Sequence, residues 1–450
     1  MARLMTFEEA LETLRLATTF GINPSLEGVT ELVDALGRPQ DTFASVQITG
    51  TNGKTSTARM TAALLEAEGR RTGLYTSPEL QRYPERIEVG GAVVSDADLA
   101  AAVSAAVTAA QRLRGEGAVG AAEGFTEFEL LTAAALWLFR ERGVEVAVLE
   151  VGLGGRWDAT SVVSPSVAVI TGVGLDHTAI LGDTVEQIAA DKAAIIKPAS
   201  APVLGPGTDG LDSIFIRHSD EVGTHARAVR EGLGFSPVAE DLTVRFRVAE
   251  RPSAPGGATV LDVDGVHARY EALAIAAPSY QAANVATAVA AAEAALGRAL
   301  DASRARTALA ALAIPGRFEL LRSKPPIFID GSHNHQAARV LADAIREAFP
   351  DADTRPALLL GVLADKDAPG IVAALAPVVG AFAVTQPASS RALSVRDLAA
   401  VVRAVTGEPP AQFPSVTVAL AALISSAPEG LIVTGSLRTA GEARTLLHDG

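Results

Sequence analysis

Apolar positions along the chain fall into blocks whose spacing changes from one stretch to the next. Thr6 to Leu16 carries Phe7, Ala10, Leu11 and Leu14 at helical spacing, with Thr6 as the N-cap, and Gly28 to Leu36 gives a second helix. Val46 and Ile48 mark a short strand, and the helix that follows from Lys54 to Glu68 stops at Gly69. Thr72 to Tyr75 is the next strand. Ile87, Val89, Val93 and Val94 form a hairpin around Gly90-Gly91. Asp96 to Arg114 is an alanine-rich helix, Gly115 to Gly124 a small-residue loop, and Thr126-Glu127-Phe128-Glu129 opens a helix carrying Leu130, Ala134, Leu138 and Phe139. Val144 to Leu149 and Val167 to Ile170 are almost continuous apolar runs, as expected of parallel strands covered on both faces. Thr184 and Gln187 form a capping box for a helix that runs to near Pro198. Gly205 to Ala277 reads as strands and loops, with hairpins around Gly256-Gly257 and Asp264-Gly265, and Ser279 to Ala295 is a helix ended by Gly297.

The alternation then restarts. A helix at Asp301–Leu312 precedes a strand at Ile327–Ile329 and a helix carrying Ala337, Val340, Leu341 and Ile345. Strands follow at Leu358–Leu360, Ala381–Thr385 and Leu431–Thr434. Strands alternating with helices imply right-handed crossovers and parallel sheets. The pattern predicts an α/β chain of two domains. Residues 1–297 form a P-loop NTPase-like domain with a mostly parallel sheet, and 298–450 a smaller, Rossmann-like α/β domain. Ligands of such sheets sit at the carboxyl ends of the strands.

Composition narrows the chemistry. The 450 residues are 48% hydrophobic but only 4% aromatic, so the cores are built from Ala, Val, Leu and Ile. The absence of cysteine excludes disulfides, thiolate catalysis and zinc–sulfur sites, and suits a reducing cytosol. A net charge of −14 argues against nucleic acid as a partner, because phosphate backbones reward clustered positive charge. The N-terminus lacks the apolar core of a signal peptide and no run reads as a membrane span, so the expected location is the cytoplasm, with no membrane partner.

The stretch most specific for function is Val46-Gln47-Ile48-Thr49-Gly50-Thr51-Asn52-Gly53-Lys54-Thr55-Ser56. A strand, a glycine loop, a lysine and hydroxyl residues at a helix start make a phosphate-binding loop. Gly50 and Gly53 admit close backbone approach. The helix start favours an anion, Lys54 reaches the outer phosphates, and the Thr55 hydroxyl suits Mg²⁺. The first glycine of the usual pattern is replaced by Ile48, leaving a shortened G-T-N-G-K-T form. Glu150 ends an apolar strand and precedes Val151-Gly152-Leu153-Gly154-Gly155-Arg156-Trp157-Asp158-Ala159-Thr160. A dinucleotide motif is a poor reading of this run, because Trp157 stands where the third glycine belongs. A carboxylate at a strand tip facing the phosphate loop is the better one. Asp176 and His177 also follow a strand. On its residues alone, Lys192 reads as a surface helix charge.

Taken together, T-G-T-N-G-K-T at 49–55, T-S-P at 76–78, E-V-G-L-G-G-R-W-D-A-T at 150–160, L-D-H-T at 175–178, P-G-R-F-E at 315–319, Asp330 with His333-Asn334, L-A-D-K-D at 363–367 and T-G-S at 434–436 resemble the folylpolyglutamate synthase/dihydrofolate synthase family of Mur-type amide ligases. The resemblance covers nearly the whole chain and implies an ADP-forming ligase that adds L-glutamate to dihydropteroate or a reduced folate through an acyl phosphate. It implies that Gly50, Thr51, Asn52, Gly53, Lys54, Thr55 and Ser56 hold ATP, with Asn284, Arg317 and Asp330 as further nucleotide contacts. It also implies two Mg²⁺ sites served by Thr55, Ser77, Glu150 and His177, catalytic roles for Lys192, Asp330 and His333, carbamylation of Lys192, a possible K⁺ site, and a monomer. Closure of the two domains around the acyl phosphate is a further expectation from it. Glu79 stands where the family usually has histidine, and Ser332 and His335 where alanine and proline are common. The rival readings are a cell-wall Mur ligase, which usually carries an extra N-terminal domain, and a nucleotide switch without ligase chemistry.

Overall fold

Parallel strands in the centre of the larger sheet are buried at nearly every position, as expected where both faces are covered. The computed structural model describes residues 4–18, 24–118, 124–232 and 243–448. Its first eleven strands are β1 (Ala44–Thr49), β2 (Thr72–Tyr75), β3 (Ile87–Val89), β4 (Ala92–Val93), β5 (Val146–Glu150), β6 (Val167–Gly172), β7 (Ala201–Gly207), β8 (Arg227–Glu231), β9 (Val244–Glu250), β10 (Thr259–Asp264) and β11 (Arg269–Ile275). They form one sheet in the order β11-β10-β9-β8-β7-β6-β1-β5-β2-β3-β4. β1 lies between β5 and β6, parallel to both, with Ile48 opposite Glu150 and Thr49 opposite Ile170. This register brings the loop after β1, the Glu150 tip of β5 and the loop after β6 to one edge. β2 pairs parallel to β5, and β3 and β4 close that end antiparallel.

The second sheet has β12 (Glu319–Ser323), β13 (Pro326–Ile329), β14 (Ala357–Leu360), β15 (Ala381–Val384), β16 (Ala411–Gln412) and β17 (Leu431–Thr434), in the order β12-β13-β17-β14-β15-β16. β13, β17, β14, β15 and β16 pair parallel, while β12 pairs antiparallel to β13. The chain divides into two compact units. The first comprises 1–247, 263–271 and 283–309, and the second 248–262, 272–282 and 310–450. Core clusters gather around Leu99, Leu136 and Phe139 in the first and around Leu341, Ile345 and Leu398 in the second. Among the described residues, no helix is long and apolar enough to cross a membrane.

The local signals act as their chemistry dictates. Thr6, Thr126 and Thr184 each close a capping box, with Glu9, Glu129 and Gln187 at the third helical position. The structure corrects the sequence reading in several places. The Asp96 helix continues to Glu116 and stops at Gly117, whose φ of 73° suits only glycine comfortably; residues 119–123 of the expected small-residue loop lie outside the described residues. The Thr184 helix ends at Ala193, well before Pro198. The stretch read as strands and loops from 205 to 277 also holds a helix, Asp212–Glu221, whose few buried positions (Phe215, Ser219) give little periodicity; residues 233–242 lie outside the described residues. Strand β12 and the helices Ala368–Leu375, Val395–Thr406, Val416–Ser426 and Leu437–His448 were not read from the sequence.

Candidate functional site

The loop leaving β1 depends on two glycines. Gly50 has φ 153°, and a Cβ there would lie 1.9 Å from Thr171 Oγ1; Gly53 has φ 85°, and its Cβ would lie 2.6 Å from Asn284 Oδ1. Thr51 N donates to Gly172 O at 2.9 Å, and Gly174 N donates to Thr51 Oγ1 at 2.9 Å. Thr171 Oγ1 donates to Asn52 O at 2.7 Å. The loop after β6 therefore braces the loop after β1. Sequence reasoning did not assign Thr171 this role, although its T-G after a buried strand was a usable signal. Helix Lys54–Ala67 starts at Gly53 with no side-chain cap and no acidic residue in its first turn. Such a start favours an anion. Lys54 Nζ donates to Gly50 O at 2.9 Å and Thr51 O at 3.3 Å, so the ammonium lies over the loop. Thr57 Oγ1 donates to Asn284 Oδ1 at 3.4 Å, which puts Asn284 beside the loop as expected.

Glu150 is 1% exposed. Thr55 Oγ1 lies 2.9 and 3.0 Å from its two carboxylate oxygens, and Ser77 N donates to Oε2 at 3.2 Å. Thr55, Ser77 and Glu150 are thus assembled from three elements. They offer hydroxyl and carboxylate oxygens only, with a single carboxylate. Mg²⁺ is commonly held in this way beside phosphate and water, and the donor set fits that ion. His177 sits at φ 51° with its side chain about half exposed, 3.9 Å from Asp176.

The glycine run after Glu150 is wound around Asp158. Its carboxylate accepts from Leu153 N at 2.9 Å and Thr160 N at 3.0 Å, and burial pushes its carboxyl up. A Cβ at Gly154 would lie 2.2 Å from Asp191 Oδ2, and one at Gly155 3.1 Å from the Lys192 Cα. These glycines allow the helix Val185–Ala193 to pack closely, which accounts for the run without a dinucleotide. Gln47, fully buried, donates to Thr160 Oγ1 and Ser161 Oγ and ties the run to β1. Lys192 is 3% exposed, against its reading as a surface charge. Burial first, and then the charge of Lys54, push its ammonium down to about 7, partly offset by Asp191, Asp176 and Asp158.

In the second unit, Asp330 is buried and accepts from Phe318 N and Ser332 N at 2.8 Å each, and from Ser332 Oγ. Gly331 N donates to Gly316 O at 2.8 Å, and Gly316 N to Glu319 Oε2 at 2.7 Å. The P-G-R-F-E loop is thus fastened to the tip of β13, which brings Arg317 close to Gly331. His333 Nδ1 lies 2.9 Å from Gly331 O, and Asn334 Oδ1 caps the helix His335–Ala348 by accepting from Ala337 N at 2.8 Å. Ser332, unusual beside the family pattern, has a clear local role as a donor to Asp330. The Glu79 side chain is 7% exposed and lies 3.7 Å from Arg86.

Residues 48–204 match the family model for the Mur ligase middle domain, and 316–437 that for the Mur ligase glutamate ligase domain. The chain is 38% identical over 455 residues to a dihydrofolate synthase/folylpolyglutamate synthase of Mycobacterium tuberculosis, covering 94% of this chain and 90% of that protein. It superposes on Mycobacterium tuberculosis folylpolyglutamate synthase complexed with ADP with a TM-score of 0.87 at 36% identity, covering 97% of this chain and 98% of that one. E. coli FolC in complex with DHPP and ADP gives a TM-score of 0.83 at 27% identity, with 98% of each chain covered.

Proposed function

The chain belongs to the dihydrofolate synthase/folylpolyglutamate synthase family of Mur-type ligases, and on that premise we propose that it joins L-glutamate to dihydropteroate and to reduced folates while ATP is cleaved to ADP and phosphate. The observation that carries this reading is the meeting of the phosphate-binding loop with a buried strand-tip carboxylate, Thr55 Oγ1 against Glu150.

A carboxylate is a poor acyl donor because its leaving group would be oxide. In the proposed reaction a carboxylate oxygen of the pterin substrate attacks the γ-phosphorus, an O–P bond forms, and ADP leaves. The glutamate amine then attacks the acyl carbon, phosphate leaves, and the nitrogen loses a proton. The protein's part is placement and charge compensation. The N–H groups of Gly50 to Ser56 and the Lys54 ammonium receive the phosphates, with Lys54 releasing the loop carbonyls as it does so. Thr55, Ser77 and Glu150 hold Mg²⁺, which would supply charge neutralisation on the phosphates. His177 is assigned to a second Mg²⁺, and Asn284 to the nucleotide from the first unit. For the second unit the same reading gives Arg317 and Asp330 nucleotide contact and Asp330 and His333 a catalytic part, on the strength of the sequence pattern. Carbamylation of Lys192 is part of the proposal, supported by its burial and by the lowering of its ammonium to about 7.

Phosphate release with Mg²⁺-ATP and L-glutamate, comparing dihydropteroate, tetrahydrofolate and no pterin, tests the reading. Release with both pterins is expected. Release with tetrahydrofolate alone would restrict the enzyme to polyglutamylation, and none with either would remove the folate assignment.

A further inference from the structure

The turn between β2 and β3 carries Ser77, and a residue outside the proposed metal site sets its geometry. Arg86 is 4% exposed. Its backbone carbonyl accepts from Thr76 N at 2.9 Å. Its guanidinium donates from Nη2 to Tyr75 Oη at 3.3 Å and from Nη1 to Glu127 Oε1 at 2.7 Å, and Nη1 stands 3.7 Å from Glu79 Oε2. The Nε of the same guanidinium is buried without a hydrogen-bond partner. The Phe128 ring lies 5.6 Å from the guanidinium carbon. Next in the chain, Glu85 Oε2 accepts from Leu80 N at 3.1 Å and from Gln81 N at 3.0 Å. One residue therefore grips the segment before Ser77, at Tyr75 and Thr76, and after it, at Glu79. Its neighbour grips the next two positions. Tyr75 and Thr76 are pinned through a main-chain bond and a phenol, and the hold of Arg86 on Glu79 is an ion pair that needs the guanidinium charged and in place. Glu127, on the separate helix Glu127–Glu141, keeps it there.

We propose that Arg86, held between Glu79 and Glu127, is a positioning residue that fixes the Ser77–Pro78 turn against Glu150 and so sets the affinity for Mg²⁺-nucleotide. The inference rests on the assignment of Ser77 and Glu150 to the metal. Neutralising Glu79 leaves Arg86 paired to Glu127 and the bonds at Tyr75, Thr76, Leu80 and Gln81 in place, but removes the ion pair that ties Glu79 to Arg86, so that Ser77 is held less firmly in register with Glu150.

The test is a titration of Mg²⁺ against a fluorescent ATP analogue, with no pterin or glutamate present, on the full chain and its Glu79→Gln, Glu79→Asp and Glu127→Gln variants. For Glu79→Gln the Mg²⁺ concentration at half-maximal nucleotide binding is expected to rise about fivefold, as follows from losing one ion pair at 3.7 Å. Nucleotide binding in EDTA and the melting midpoint should stay at wild-type values. Glu79→Asp, which keeps the charge on a shorter arm, should fall between. Glu79→Gln and Glu127→Gln proteins that melt like wild type and titrate with the wild-type Mg²⁺ midpoint would overturn the proposal. Should Glu79→Gln fail to fold, Glu79→Asp decides alone, and an unshifted midpoint overturns it. A wild-type protein whose nucleotide binding ignores Mg²⁺ would instead overturn the metal assignment underneath.

Discussion

Lys192 gives the sharpest quantitative expectation. An ordinary lysine ammonium with a pKa of 10.5 leaves about three amines in a thousand neutral at pH 8. In this protein burial and the nearby Lys54 charge bring the value to about 7, so about nine-tenths of the amine is neutral at pH 8 and about one-tenth at pH 6. The neutral amine attacks the carbon of CO₂, an N–C bond forms, and one proton is released. At fixed CO₂ pressure the rate of carbamate formation should therefore rise between pH 6 and 8 with the neutral-amine fraction, and because a proton is released the amount of carbamate at equilibrium should keep rising above pH 7. The same shift has a stability consequence. Between about 7 and 10.5 the unfolded chain binds a proton at this lysine that the folded chain does not. Stability thus rises with pH across that window, by up to about 5 kcal/mol without CO₂, from about 3.5 units at 1.36 kcal/mol each. The assay is ¹³C NMR of protein under ¹³CO₂, with Lys192→Met as the reference that removes this amine while leaving the N-terminal one. A carbamate signal absent at pH 8, or unchanged in Lys192→Met, would refute the reasoning.

Three other substitutions probe separate parts of the site. Gly50→Ala places a methyl 1.9 Å from Thr171 Oγ1 at φ 153°, and should abolish measurable ATP binding by calorimetry while circular dichroism stays native. Glu150→Gln removes the single carboxylate of the proposed Mg²⁺ site, and should cut glutamate-dependent ADP release by about a hundredfold or more, read in a coupled assay over a Mg²⁺ series. Ser332→Ala deletes one donor to Asp330 but leaves the bonds from Phe318 N and Ser332 N, so urea unfolding should show a loss of about 1 kcal/mol, and a change of several kcal/mol would contradict this local reading.

The parts of the fold legible in the sequence were those with strong local chemistry. Continuous apolar runs gave β5 and β6, the Thr6 cap, the Thr126 start and the Thr184–Gln187 capping box gave three helix starts, and G-T-N-G-K-T gave the loop. The helix Asp212–Glu221 escaped because only Phe215 and Ser219 of it are buried, so its apolar face is too sparse to show a period. Strand β12 escaped because it lies at a sheet edge with no fully buried position. The site shows the same division. Glu150 beside Thr55 was readable from its place at a strand tip, and the main-chain register supplies the contact. The burial of Lys192 was not readable, since it results from Gly154 and Gly155 letting a helix approach a loop far away in sequence. Arg86 was missed because its partners, Tyr75, Glu79 and Glu127, are joined only by the packing of a helix on the sheet.

The most direct measurement uses dihydropteroate labelled with ¹⁸O in its carboxylate, together with Mg²⁺-ATP and L-glutamate, and reads the released phosphate by mass spectrometry. Transfer of one ¹⁸O into phosphate, matched by equal amounts of ADP and of glutamylated product, is expected of an acyl phosphate made on this site. Phosphate without the label, or phosphate released at the same rate when glutamate is omitted, would contradict it.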